Sequence, residues 1–129
     1  VNRADVQAWL DRYVEAWRTS EASAVEALFT EDAIYRYRPY GGMAHAARGR
    51  PAIVRAWLDE ADPPDSWEAA YEPYVVEGDR AVATGRSEYF ASAKGPARTY
   101  HNVFLLRFAP DGRCAEFTEY YMLEESPAS

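Results

Sequence analysis

Cysteine is nearly absent from this chain of 129 residues: Cys114 stands alone. No internal disulfide can form, and a metal site built on thiolates is excluded. A lone thiol suits a reducing compartment, so a cytoplasmic setting is expected. Histidine is almost as scarce, with only His45 and His101. Neither has a carboxylate at the helical spacing that makes a zinc site, so no metal and no other cofactor is expected. Positive charge is the minority sign: 14 Lys and Arg face 21 Asp and Glu, giving a net charge of -7 and a pI near 4.8. Nucleic acid and anionic membrane both require a basic face, so neither is an expected partner. No stretch approaches the ~18 consecutive apolar residues of a membrane span. The segment from Val1 to Trp9 is charged and does not read as a signal peptide. Repeats, low-complexity tracts and linkers are also missing, so one domain is expected over residues 1–129. Its polar tail from Glu124 to Ser129 is expected to fray.

What the chain does have is apolar mass and aromatic rings. Hydrophobic residues make up 48% of it, enough for a real core in one domain. Aromatics reach 15%, with ten tyrosines and four tryptophans. Such side chains fill cores, and they also line pockets, because Tyr and Trp pair a large apolar body with one polar handle.

Periodicity orders the elements. Val6, Leu10, Tyr13, Val14 and Trp17 lie on one face of a helix. Ser23 and Glu26 have capping-box spacing and open a short second helix carrying Val25, Leu28 and Phe29. Ala33 to Arg38 reads as a strand, stopped by Pro39 and Gly41-Gly42. A loop of small residues containing Met43 and His45 runs to Gly49. Pro51 then suits the first turn of a third helix, with Ile53, Val54, Trp57 and Leu58 on its apolar face. Asp62-Pro63-Pro64 ends it. Four strands follow: 68–77, 80–91, 97–108 and 113–123. Gly78-Asp79 turns the first pair and Pro110-Asp111-Gly112 the last. Helices early and long antiparallel strands late argue an α+β fold, with helices covering one face of a bent sheet.

This order resembles the nuclear transport factor 2-like superfamily, including SnoaL-like proteins, ketosteroid isomerases and limonene epoxide hydrolases. The resemblance spans about Ala4 to Leu123. It is carried by Arg12-Tyr13-Val14-Glu15-Ala16-Trp17, by Leu28-Phe29-Thr30-Glu31-Asp32-Ala33, by Gly49-Arg50-Pro51-Ala52-Ile53, and by Leu106-Arg107-Phe108 with Asp111-Gly112-Arg113. It implies a cone-shaped antiparallel sheet curved around three helices and enclosing a pocket. The fold hosts many chemistries, so function must be argued from the site.

The resemblance also sets the phase of each strand. It implies a concave face bearing Tyr35 and Tyr37, Arg86 and Glu88, Asn102 and Phe104, and Phe117, Glu119 and Tyr121. Tyr13 and Trp17 join from the first helix, and Trp57 closes the narrow end. In that phase Arg86 lies between two carboxylates, Glu88 and Glu119. Two acids sharing one guanidinium hold different pKa values, as general acid and general base require. The trio resembles the limonene epoxide hydrolase set. By that likeness Arg86 orients, Glu88 protonates an epoxide oxygen, and Glu119 with Tyr35 activates water. Both acids here are Glu rather than Asp, and Tyr37 stands where that family holds its water with Asn. Against ketosteroid isomerase, Tyr13 matches the oxyanion-hole tyrosine, but Tyr37 and Phe104 occupy the two acid positions. A buried structural ion pair is the alternative reading of the trio.

His45, in a Gly- and Ala-rich loop, is either a solvated residue or a base folded over the mouth of the pocket. His101 and Tyr120 alternate to the convex face, which implies a homodimer by the family's habit. Ser87 has no nucleophile motif around it. The expected ligand is a small hydrophobic molecule. The expected functions are cofactor-free acid–base chemistry (epoxide hydrolysis, or an isomerase, dehydratase or cyclase step), non-catalytic ligand binding, or dimeric partner binding.

Overall fold

The computed structural model describes residues 1–93 and 95–125; the end of the tail expected to fray, 126–129, lies outside the described residues. Helix α1 spans Arg3–Thr19. Asn2 caps it reciprocally with Asp5: the Asp5 amide donates to Asn2 Oδ1 at 2.8 Å and the Asn2 amide to Asp5 Oδ2 at 2.9 Å. That satisfies two amides the first turn would leave open. Its buried face is Val6, Trp9, Leu10, Tyr13 and Ala16. Val14 and Trp17, expected on that face, lie at its edges and are only partly covered.

Helix α2, Ala22–Glu26, is one short turn. Ser23 lies inside it rather than ahead of it, so the expected capping box does not form; Glu21 holds the cap position without a side-chain hydrogen bond. Strand β1, Phe29–Arg36, begins earlier than the sequence pattern indicates. The segment read as loop contains a 3₁₀ turn, Gly42–His45, and a short strand β2, Ala46–Arg48. This segment folds back on β1, with Tyr35 opposite Ala47 and the Tyr37 amide donating to the His45 carbonyl at 2.8 Å. Small residues left no alternation to read there. Helix α3, Arg50–Asp59, has Pro51 in its first turn and buries Ile53.

The remaining strands are β3 Trp67–Glu77, β4 Arg80–Tyr89, β5 Arg98–Phe108 and β6 Cys114–Leu123. The six form one sheet in the order β2-β1-β6-β5-β4-β3. Its pairings are antiparallel except β1 with β6, which is parallel. The sheet is therefore mixed, antiparallel as expected at every pairing but that one. The meander β3–β6 returns its last strand alongside β1 in the same direction.

Helix α1 crosses the concave face. Trp9 meets the edges of Phe29 and Phe108, with ring centroids 5.9 and 5.7 Å away, and its indole N–H donates to the Leu28 carbonyl at 3.0 Å. Edge-to-face contacts of this kind add to plain area burial. Gly85 of β4 lies opposite Tyr71 of β3. A Cβ there would collide with the Ala70 carbonyl oxygen and with Tyr71, so only glycine lets the Tyr71 ring lie across the strand. None of the described helices is long and apolar enough to cross a membrane.

Candidate functional site

The site is a cup between α1, α3 and the concave face of the sheet. Its floor begins with two phenylalanines that side-chain alternation turns inward, Phe104 on β5 and Phe117 on β6, 4.7 Å apart. Both are fully buried in the core and neither reaches the cavity wall, so the role in ligand contact expected of them falls to the tyrosines stacked above. Tyr35 stacks on Phe117 at 4.3 Å and 6°, and Tyr13 at 5.5 Å and 10°. The two phenols meet, Oη to Oη, at 2.9 Å. Burial pushes both hydroxyls well above the usual tyrosine range, as it does for Tyr71 beside them, so all three stay neutral.

Two chambers open above this floor. The inner one, about 190 Å³, is walled by Trp17 of α1, Trp57 of α3, Tyr37 and Tyr89, with Glu60 and Asp62 at its α3 side. The outer one, about 620 Å³, is edged by Arg38, His45, Arg98, Tyr100 and Tyr121. Glu119, Ser87, Glu60, Asp62, Tyr37 and Tyr89 border both.

Glu119 sits where the chambers join. Its Oε2 accepts from Asn102 Nδ2 at 2.9 Å, and Asn102 Oδ1 accepts from Ser87 Oγ at 3.0 Å. Ser87 also hydrogen-bonds to Tyr71. A line of polar groups thus runs along the floor from β3 through β4 and β5 to β6. Among the described residues no Lys, Arg or His forms an ion pair with Glu119. Burial lifts its carboxyl to about 7, and the Asn102 hydrogen bond offsets only part of that. The group exchanges a proton near neutrality, in a wall otherwise made of rings and neutral hydroxyls.

Arg86 and Glu88 are not in the cup. The structure turns Ala81, Ala83, Gly85, Ser87 and Tyr89 of β4 inward, and puts Arg86 and Glu88 on the convex face. There they pair with each other, with side chains 60% and 31% exposed. The reason is volume and solvation. The inward face of β4 lies against Tyr71 and Phe104 and takes only small side chains below Ser87, while a guanidinium there would lose its water. The expected Glu–Arg–Glu trio is therefore not assembled, and Glu119 is its one member in the cavity. The other expected site residues do converge: Tyr13, Trp17, Tyr35, Tyr37, Trp57, Asn102, Glu119 and Tyr121 surround the chambers, with His45 at the outer rim against Tyr40. His101 lies on the convex face, 3.2 Å from Glu124, and Tyr120 is exposed on the same side. Sequence reasoning missed Tyr71, Ser87 and Tyr89, although the small-residue alternation Ala81-x-Ala83-x-Gly85 marks the face of β4 that carries Ser87 and Tyr89. Glu60 and Asp62, seen only as the end of a helix, were missed too. Among the described residues no three His, Cys, Asp or Glu side chains converge as metal ligands.

A helix-lined cup on a curved mixed sheet is the nuclear transport factor 2-like arrangement, and solved structures share it. An NTF2-like protein of unknown function from Mesorhizobium loti superposes with a TM-score of 0.65 at 23% identity, covering 93% of each chain. Another, from Burkholderia pseudomallei, gives 0.69 at 19%, covering 92% of this chain and 91% of its own. A protein of unknown function with a cystatin-like fold from Methylobium petroleophilum gives 0.69 at 17%, covering 100% of this chain and 83% of its own. The model of the SnoaL-like domain family matches residues 10–117, and the chain belongs to that family. No curated protein matches it.

Proposed function

We propose that this protein carries out cofactor-free proton transfer on a small molecule, with Glu119 as the group that takes up and returns the proton. The observation that carries this reading is the setting of Glu119. It is largely buried at the junction of two chambers, in no ion pair with a cation among the described residues, held by Asn102, and poised near neutral pH. A carboxyl with a pKa near the working pH serves as base when ionised and as acid when protonated. The Tyr13–Tyr35 phenol pair below it supplies hydrogen bonding for a developing oxyanion. An isomerase, dehydratase or cyclase step needs no more than these parts. Epoxide hydrolysis fits less well, because the Arg86 and Glu88 expected to orient and protonate the epoxide lie on the other face of the sheet.

The test is proton exchange on a panel of small cyclic ketones, enones and their amine-bearing analogues in D₂O, followed by ¹H NMR. Exchange or isomerisation should rise with pH through a midpoint near 7. Glu119→Gln should lower the rate about 100-fold or more while ligands still bind. Equal rates for the two proteins would remove Glu119 from the chemistry and leave a binding pocket.

For assembly we propose a homodimer through the convex face. Leu105, Tyr120 and Met122 stand exposed there on adjoining strands, a patch that a second copy would cover.

A further inference from the structure

The inner chamber has a composition that proton transfer alone does not require. Two tryptophans, Trp17 and Trp57, and five tyrosines line it. Apart from Ala56 and Ser87, everything else there is acidic: Glu60, Asp62 and Glu119. Among the described residues no Lys, Arg or His lines it; Arg38, His45 and Arg98 border only the outer chamber.

Tyr13 and Tyr35 each stack one face on Phe117, and the rings around them stand at steep angles. Trp57 stands nearly perpendicular to Tyr13 (88°, centroids 5.1 Å apart) and to Tyr35 (84°, 6.4 Å). Tyr13 in turn is nearly perpendicular to Tyr71 (78°, 6.0 Å). Ring faces carry negative potential. Asp62 adds an acidic side chain, whose Oδ2 accepts from the Trp17 indole N–H at 3.1 Å. Glu60 adds another from the C-terminal end of α3. Among the described residues neither acid has a cationic partner within ion-pair distance. A neutral apolar group in this space would gain nothing from the solvent-exposed Glu60 or the partly covered Asp62, and an anion would be repelled. A compact organic cation meets both the ring faces and the acids.

We propose that the inner chamber recognises an alkylated ammonium group, and that the ligand of this protein is a small organic cation whose remainder occupies the outer chamber. The proposal rests on the reading of the cup as a small-molecule site, and it is independent of whether Glu119 catalyses. At about 190 Å³ the chamber suits a head the size of a trimethylammonium and excludes a large ring system.

Three probes of one shape and different charge test it by calorimetry at fixed pH and ionic strength: (3-hydroxyphenyl)trimethylammonium, 3-tert-butylphenol and 3-hydroxybenzenesulfonate. The ammonium should bind at least about tenfold more tightly than its neutral isostere, as cation–π contacts in a desolvated site imply. The Glu60→Gln, Asp62→Asn double variant, which keeps an acceptor for the Trp17 indole, should lose most of that preference while binding the neutral phenol as before. Trp57→Leu should lower ammonium affinity more than phenol affinity. Equal or tighter binding of the phenol or the sulfonate would overturn the proposal, as would a preference unchanged in both variants. If none of the probes binds saturably, the cation site fails, while proton exchange on neutral carbonyl compounds, measured separately, would still stand.

Discussion

Replacing Glu119 by Gln should make the protein more stable at alkaline pH and change it little at acid pH. The carboxyl goes from an ordinary value of 4.5 to about 7 on folding. Between those limits the folded protein holds a proton that the unfolded chain has released. Wild-type stability therefore falls as pH rises through this window, and levels off above it. A shift of that size, at about 1.36 kcal/mol per unit, amounts to roughly 3 kcal/mol by pH 8. Glutamine keeps the shape and an oxygen to accept from Asn102, but has no charge to bury. Urea or thermal unfolding of both proteins from pH 4.5 to 9 reads the difference directly, because every other titrating group is common to the pair. The stability difference should open with a slope of up to about 1.4 kcal/mol per pH unit between pH 5 and 7, and then stay flat. At this chain length the plateau corresponds to roughly 10 °C in Tm. A difference that is constant with pH would mean Glu119 is solvated, and the case for a neutral-pH acid–base group would collapse.

Three further outcomes follow from the geometry. Arg86→Ala should cost less than about 1 kcal/mol in urea unfolding, since it removes only an exposed pair with Glu88; a large loss would point to the inward placement after all. Gly85→Ala should destabilise by about 2–4 kcal/mol or prevent folding, because the new methyl meets the backbone of Ala70 and Tyr71; a neutral result would show that β3 can move aside. Leu105→Glu on the convex face should convert a dimer to a monomer in sedimentation velocity without loss of fold; a wild-type protein that is monomeric at all concentrations would dispose of the dimer.

The fold was legible because its long elements repeat cleanly. The heptad-like spacing of α1 and the strands after Trp67 are written in apolar period, and their ends in Gly, Pro and Asp. The β2 segment was not legible, since Ala46-Ala47-Arg48 carries no alternation and is held by backbone bonds to β1. Much of the cup was legible too, because Tyr13 lies on the apolar face of α1 and the family resemblance anchors the strand phase that turns Tyr35, Asn102 and Glu119 inward. Strand β4 was the exception. Thr84-Gly85-Arg86-Ser87-Glu88 has polar side chains on both faces, so only the likeness to limonene epoxide hydrolases set its phase, and that likeness pointed the charges inward. Packing decided otherwise, because the buried face had room only for Ala, Gly and Ser under Tyr71 and Phe104. The acids at the end of α3 were hidden for another reason: their nearness to Trp17 is a tertiary fact with no trace in local sequence.

The parallel pairing of β1 with β6 has a consequence for how the molecule is made. Tyr35 is fixed on one side by Ala47, but on the other it waits for Phe117, more than eighty residues downstream. Contacts so far apart in the chain form late and slow the search for the native state. A nascent chain leaving the ribosome therefore holds β1 with an open edge through most of synthesis. That edge closes only when β6 emerges. The strand that closes it carries Glu119, so the sheet and the carboxyl at the junction of the two chambers are completed together.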